Sequence, residues 1–119
     1  MKNSVLVSRY TKAKKEFLLD RMYDMRCDGC GRIDKPLSVS HTISRDRCQK
    51  IGRPELYYAK FNFELMCFNE GKVGEGACHE VWESGLLERK QRLLNWDRMM
   101  KLVEEYDPEM YQRIVNFGK

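Results

Sequence analysis

Thiols and imidazoles are the groups in this chain best suited to gripping a transition metal, and it carries five cysteines and two histidines. Cys27 and Cys30 lie in Cys27-Asp28-Gly29-Cys30-Gly31. Two intervening residues let both sulfurs face one ion. A redox pair has the same spacing, but no strand-helix context of the thioredoxin kind surrounds it. Cys67 and Cys78 complete a four-thiolate set for one tetrahedral zinc. A glycine-rich stretch from Asn69 to Gly76, rather than two residues, separates them. A rival ligand set replaces one thiolate with His79 or Cys48; otherwise Cys48 is the odd thiol. The odd count argues for metal ligation over disulfides.

Inside this frame stand residues suited to acid-base and phosphate chemistry. His41 closes Ser38-Val39-Ser40-His41, and its imidazole titrates near neutral pH, as a general base requires. Asn62 starts a second apolar run and either fixes the loop that aims His41 or helps hold a metal. His79 follows Cys78 directly and is a candidate ligand for Mg²⁺ or another divalent ion. Glu83 lies four residues on, so both would project from one helical face and Glu83 becomes a second ligand. A solvated helix position is the bland reading of Glu83.

Basic residues crowd the same region: Arg45, Arg47, Lys50 and Arg53 follow His41, with Arg32 and Lys35 before it. Residues 1–60 hold 14 Lys/Arg and 7 Asp/Glu, a balance of +7, whereas residues 61–119 hold 8 and 11, a balance of −3. That asymmetry suits a polyanionic partner contacted through phosphates, with no sign of base-specific readout.

The order Cys-x-x-Cys, strand-histidine, Asn-x-x-x-x-Cys and Cys-His resembles the HNH (ββα-metal) endonucleases. The run His41-Thr42-Ile43-Ser44-Arg45 is also similar to the phage NinG/Rap recombination nucleases. The resemblance covers residues 26–83. It implies a catalytic trio of His41, Asn62 and His79, a metal-dependent endonuclease or nickase acting on double-stranded or branched DNA, and a phage origin. Ser40 stands where many of that family place an acidic ligand. A catalytically inactive zinc protein, binding nucleic acid or a protein partner, is therefore the alternative.

Several elements must position these groups. Residues 1–10 read as an irregular or extended arm, with Val5 and Val7 alternating. Thr11 to Met25 reads as a helix with Phe17, Met22 and Met25 turned to the core. Lys12, Lys14 and Lys15 crowd its first turns against the helix dipole, which would suit contact with phosphate, but a solvated face is the simpler reading. Leu37, Val39 and His41 mark a short strand, and Phe63 and Leu65 the inward face of a second. Ile43 to Leu56 reads as a loop or short irregular helix. Cys78 or His79 opens a helix that breaks near Ser84-Gly85. Leu86, Leu93 and Met100 then repeat every seven residues, which predicts one helix over Leu86 to Tyr106. Asp107-Pro108 signals a new helix, with Asp as cap and Pro in the first turn. Met110, Tyr111, Ile114 and Val115 would then face the core or a partner.

These readings combine into an α+β, zinc-stabilised fold in one domain over residues 1–119. Its core spans 26–83, and a C-terminal helical extension spans 86–117. That extension could serve as a homodimer face or dock a protein partner. With no apolar run of membrane-spanning length and no export leader recognised, the expected location is the cytoplasm, that of a bacterial host if the chain is phage-encoded.

Overall fold

The computed structural model describes residues 2–68 and 77–117. The stretch from Asn69 to Gly76 lies outside the described residues. Six α-helices and one two-stranded antiparallel sheet build a small α+β fold among those described.

Helix α1 spans Asn3–Asp20. From Asn3 onward, the stretch expected to be an irregular or extended arm is thus helical. Leu6, Tyr10, Ala13 and Phe17 recur at helical spacing; Leu6 and Ala13 are buried, and the helix packs on a 3₁₀ segment, Pro54–Tyr58. The helix also stops earlier than expected, at Asp20. Met22 and Met25 consequently lie outside it and are exposed instead of reaching the core. Phe17 is half-buried and meets Phe63 edge-on.

Strand β1 (Leu37–His41) pairs with β2 (Phe63–Cys67) in a register that sets Leu37 opposite Cys67 and His41 opposite Phe63. All five residues of β2 are buried, as expected of a strand covered on both faces. Between the strands run helix α2 (Arg45–Lys50), whose cap is the Ser44 hydroxyl, the 3₁₀ segment Pro54–Tyr58 and a second 3₁₀ turn, Lys60–Asn62. Helix α3 spans Cys78–Ser84 and ends at Gly85, where a Cβ would lie 2.5 Å from the Val81 carbonyl oxygen.

The long helix expected over Leu86 to Tyr106 is divided. Helix α4 covers Leu87–Lys90, the chain turns through 91–95, and α5 covers Trp96–Tyr106. The Leu94 N–H donates to the Gly29 carbonyl at 2.8 Å, so a tertiary bond takes a donor that a continuous helix would need. Leu86 and Leu94 are exposed, whereas Leu93, Met99, Met100 and Val103 are buried in the chain's own core. Helix α6 (Pro108–Phe117) restarts as expected, with Asp107 accepting from the Met110 N–H at 3.2 Å. Ile114 is fully buried and Val115 exposed. One apolar cluster joins Ile43, Leu56, Met66, Trp82, Val103 and Ile114, so the C-terminal helices and the region around the strands share a core. Among the described residues no helix is long and apolar enough to cross a membrane.

Candidate functional site

Two groups of chemistry-bearing side chains flank the strand pair. The first is the cysteine cluster. The Sγ atoms of Cys27, Cys30, Cys67 and Cys78 all lie within 4.8 Å of one another. Tetrahedral zinc with Zn–S bonds of about 2.3 Å separates its sulfurs by about 3.8 Å. Cys30 and Cys67 are 3.9 Å apart, so the four could hold a metal ion such as zinc.

Backbone donors already point at these sulfurs. Cys27 Sγ accepts from the Gly29 and Cys67 N–H groups, each at 3.3 Å, and Cys67 Sγ accepts from Cys78 N–H at 3.4 Å. Such bonds favour thiolate over thiol. The Cys27 thiol is drawn well below the usual range, chiefly by a hydrogen bond from Cys78, against the opposing effect of burial. Gly29 is required for packing: a Cβ there would lie 2.8 Å from both Cβ and Sγ of Cys78. Gly31 adopts φ +77, the left-handed region that glycine enters without penalty. Asp28 docks this turn on β2. Its N–H donates to Leu65 O at 2.7 Å, and its carboxylate accepts from Leu65 N–H and from the Arg21 guanidinium, each at 2.9 Å. Cys48 is remote from the cluster's chemistry. Burial pushes its thiol up to about 12, and its Sγ donates to the Ile43 carbonyl.

The second group lines a cleft of about 540 Å³ that contains Tyr10, Ser40, His41, Arg45, Tyr57, His79, Trp82 and Glu83 among its walls. His41 Nε2–H donates to the Tyr57 carbonyl at 2.9 Å, which leaves the Nδ1 lone pair as the acceptor. The ring stacks on Tyr57 at 4.9 Å and lies 5.2 Å from Tyr10. Burial, joined by the Lys14 charge, holds this imidazole below the ordinary histidine range against the bond to Tyr57. It is therefore neutral at pH 7.

Asn62 fixes the loop beyond His41. Its Oδ1 accepts from Ile43 N–H at 2.8 Å, and its Nδ2 donates to Ile43 O at 2.9 Å and Leu56 O at 3.0 Å. The side chain is fully buried, with its polar atoms committed to backbone. Of the two roles open to it from sequence, loop-fixing is the one the structure contains, and Asn62 is not placed to hold a metal.

His79 stands across the cleft. Its Nδ1 is 2.6 Å from Ser40 Oγ and its Nε2 is 3.2 Å from Glu83 Oε1. Helix α3 is held to the residue that follows β1 where Trp82 Nε1–H donates to Thr42 O at 3.1 Å.

The four arginine and lysine positions singled out as phosphate contacts differ. Arg45 lies in the cleft, its guanidinium 5.3 Å over the Tyr57 ring. Lys50 is exposed on α2. Arg53 bonds Glu55 and covers Tyr106. Arg47 is turned away from solvent: it forks onto Asp107 at 2.8 and 2.7 Å, and Asp107 is 1% exposed. That ion pair ties α2 to the start of α6, so Arg47 serves the fold rather than a phosphate.

Tyr10 borders the site although its stretch reads as an arm, and Lys14, for which a solvated face is the simpler reading and phosphate contact the other, stands close enough for its charge to bear on His41. The helical spacing of Leu6, Tyr10, Ala13 and Phe17 was the signal that could have found them. The chain matches no family model, no curated protein and no solved structure.

Proposed function

We propose that this protein is a zinc-braced HNH-type nuclease of the ββα-metal kind, cutting or nicking DNA with the help of a second divalent ion. One observation carries this reading: His41 and His79 share a cleft at the ends of β1 and α3, while Asn62 pins the loop following His41. Three residues far apart in sequence thereby acquire distinct roles.

His41 is the general base. The Tyr57 carbonyl fixes its tautomer, and burial keeps Nδ1 free of a proton at neutral pH. The hydrolysis needs water to lose a proton to Nδ1 as its oxygen bonds phosphorus and the opposite P–O bond breaks. His79 and Glu83 are the groups able to hold the divalent ion, which would supply charge neutralisation at the phosphate and leaving oxygen. The four thiolates would hold a structural zinc, which would tie the Cys27 turn, β2 and the start of α3 together.

Ser40 favours a second reading. Where an acidic ligand would stand beside His79, a hydroxyl bonds Nδ1 instead. A non-catalytic descendant that binds nucleic acid would keep the zinc centre and the basic face. Supercoiled plasmid separates the two readings. The zinc-loaded chain with added Mg²⁺ or Mn²⁺ should convert it to nicked circles, and the same chain without the added ion should not. Retained plasmid binding with no nicking under either ion would favour the second reading.

A further inference from the structure

Most of the cations for which the structure gives contacts are spoken for. Arg21, Arg26, Arg32, Arg47, Arg53, Lys60, Arg98 and Arg113 all pair with carboxylates. Two half-buried cations beside the histidine cleft differ. Arg45 of α2 rests over Tyr57 at 5.3 Å, and Lys14 of α1 rests over Tyr10 at 6.0 Å. Neither has an ion pair with a carboxylate among the described residues. Their ring supports both line the same cleft, stacked on each other 4.7 Å apart, and both rings flank His41. A cation held on an aromatic face without a carboxylate keeps its charge directed at an incoming anion.

We propose that Lys14 and Arg45 form a phosphate clamp that holds one nucleic-acid strand across the cleft, with α1 contributing half of the substrate contact. The clamp rests on the nuclease reading of the site and extends it to a helix beyond the residues that resemble HNH enzymes. Lys14 carries a second duty: its charge also bears on His41. The groups around His41 are Tyr10 and Lys14 from α1, Tyr57 from the 3₁₀ segment and Phe63 from β2, with Arg45, His79 and Glu83 lining the same cleft. Loss of the Lys14 charge therefore moves the acid limb of a cleavage profile to higher pH.

The test uses the full zinc-loaded chain and a fluorescent DNA oligonucleotide, with binding followed by anisotropy across a salt series without added Mg²⁺ or Mn²⁺. Lys14→Gln and Arg45→Gln should each weaken binding about fivefold to tenfold at 0.1 M salt and lower the salt slope by about 1. Lys14→Arg should keep the wild-type slope. Lys12→Gln, on an exposed position of the same helix, should bind as wild type. Wild-type binding by both Lys14→Gln and Arg45→Gln would overturn the clamp, as would an equal loss in Lys12→Gln. If these binding losses appear while plasmid is never nicked, the clamp stands and the cleavage reading falls. If plasmid is nicked but neither substitution changes binding, the reverse holds.

Discussion

Asn62 offers the sharpest test of how the site is held. Its amide bonds three backbone groups: Ile43 N–H at 2.8 Å, Ile43 O at 2.9 Å and Leu56 O at 3.0 Å. Asn62→Ala removes all three bonds at a fully buried position where water does not replace them. Only the Ile43 N–H is orphaned outright, at about 1–3 kcal/mol, because Cys48 Sγ still donates to Ile43 O and the Ala59 N–H to Leu56 O; each of those two lost bonds adds about 0.5–1.5 kcal/mol, for about 2–5 kcal/mol in all. Small domains have a total stability of about 5–15 kcal/mol, so the loss is large enough to read and the variant is at risk of unfolding. Asn62→Asp supplies a milder comparison. Its carboxylate can still accept from Ile43 N–H, but when ionised it faces two carbonyl oxygens. Burial and those oxygens raise the new acid's folded-state pKa above its unfolded value. The stability of Asn62→Asp relative to wild type should therefore be greatest below the unfolded value and fall as pH rises through the folded one. Urea unfolding followed by tryptophan fluorescence suits both variants, since Trp82 donates to the neighbouring Thr42 carbonyl. A loss below about 1 kcal/mol in Asn62→Ala at unchanged m-value would refute the claim that this amide pins the loop. A pH-independent deficit in Asn62→Asp would refute the assignment of its Nδ2 as the donor to two carbonyls.

Two further outcomes follow from buried groups elsewhere. Gly29→Ala should drive a methyl into Cys78 and lower zinc retention against a chelator about tenfold, because the contacts at 2.8 Å involve a would-be ligand rather than a flexible chain end; unchanged retention would show that the turn can give way. Glu64 is fully buried on β2 beside Thr42 and Arg98, and burial pushes its carboxyl up to about 7. Because that folded value exceeds the unfolded one, its favourable contribution is present in acid and lost as pH rises through 7. Glu64→Gln should thus be more stable relative to wild type at pH 8 than at pH 5, by up to about 3 kcal/mol; equal differences at both pH values, read by urea midpoints, would contradict this.

The parts of the site that could be read from residues alone are those where chemistry restricts residue type. Four cysteines at Cys27, Cys30, Cys67 and Cys78 do converge, because paired thiols and backbone N–H donors serve one another in a way few other residues can. Strand β1 ends at His41 as its alternation predicted, and Asp107-Pro108 does begin a helix. Tertiary contacts hid the rest. Helix α1 begins without a side-chain cap or an acidic first turn, so its start lacked a capping signal and only the spacing of Leu6, Tyr10, Ala13 and Phe17 marked it. The seven-residue repeat of Leu86, Leu93 and Met100 is genuine as a pattern, yet Gly29 draws off the Leu94 N–H and divides the helix. Arg47 looked like its neighbour Arg45 in sequence. Only the burial of Asp107, sixty residues away, separates a structural arginine from one left facing the cleft.

The central claim is that His41 acts as a base at a zinc-braced site, and single-turnover nicking of supercoiled plasmid tests it most directly. Wild type and His41→Ala are to be compared in Mg²⁺ or Mn²⁺ after both are shown to carry one zinc per chain by elemental analysis. General-base catalysis accounts for about 10²–10⁴-fold in rate, so His41→Ala should fall by at least about a hundredfold while its zinc content stays the same. Equal nicking by the two proteins, or no nicking by wild type under any divalent ion, would contradict the account.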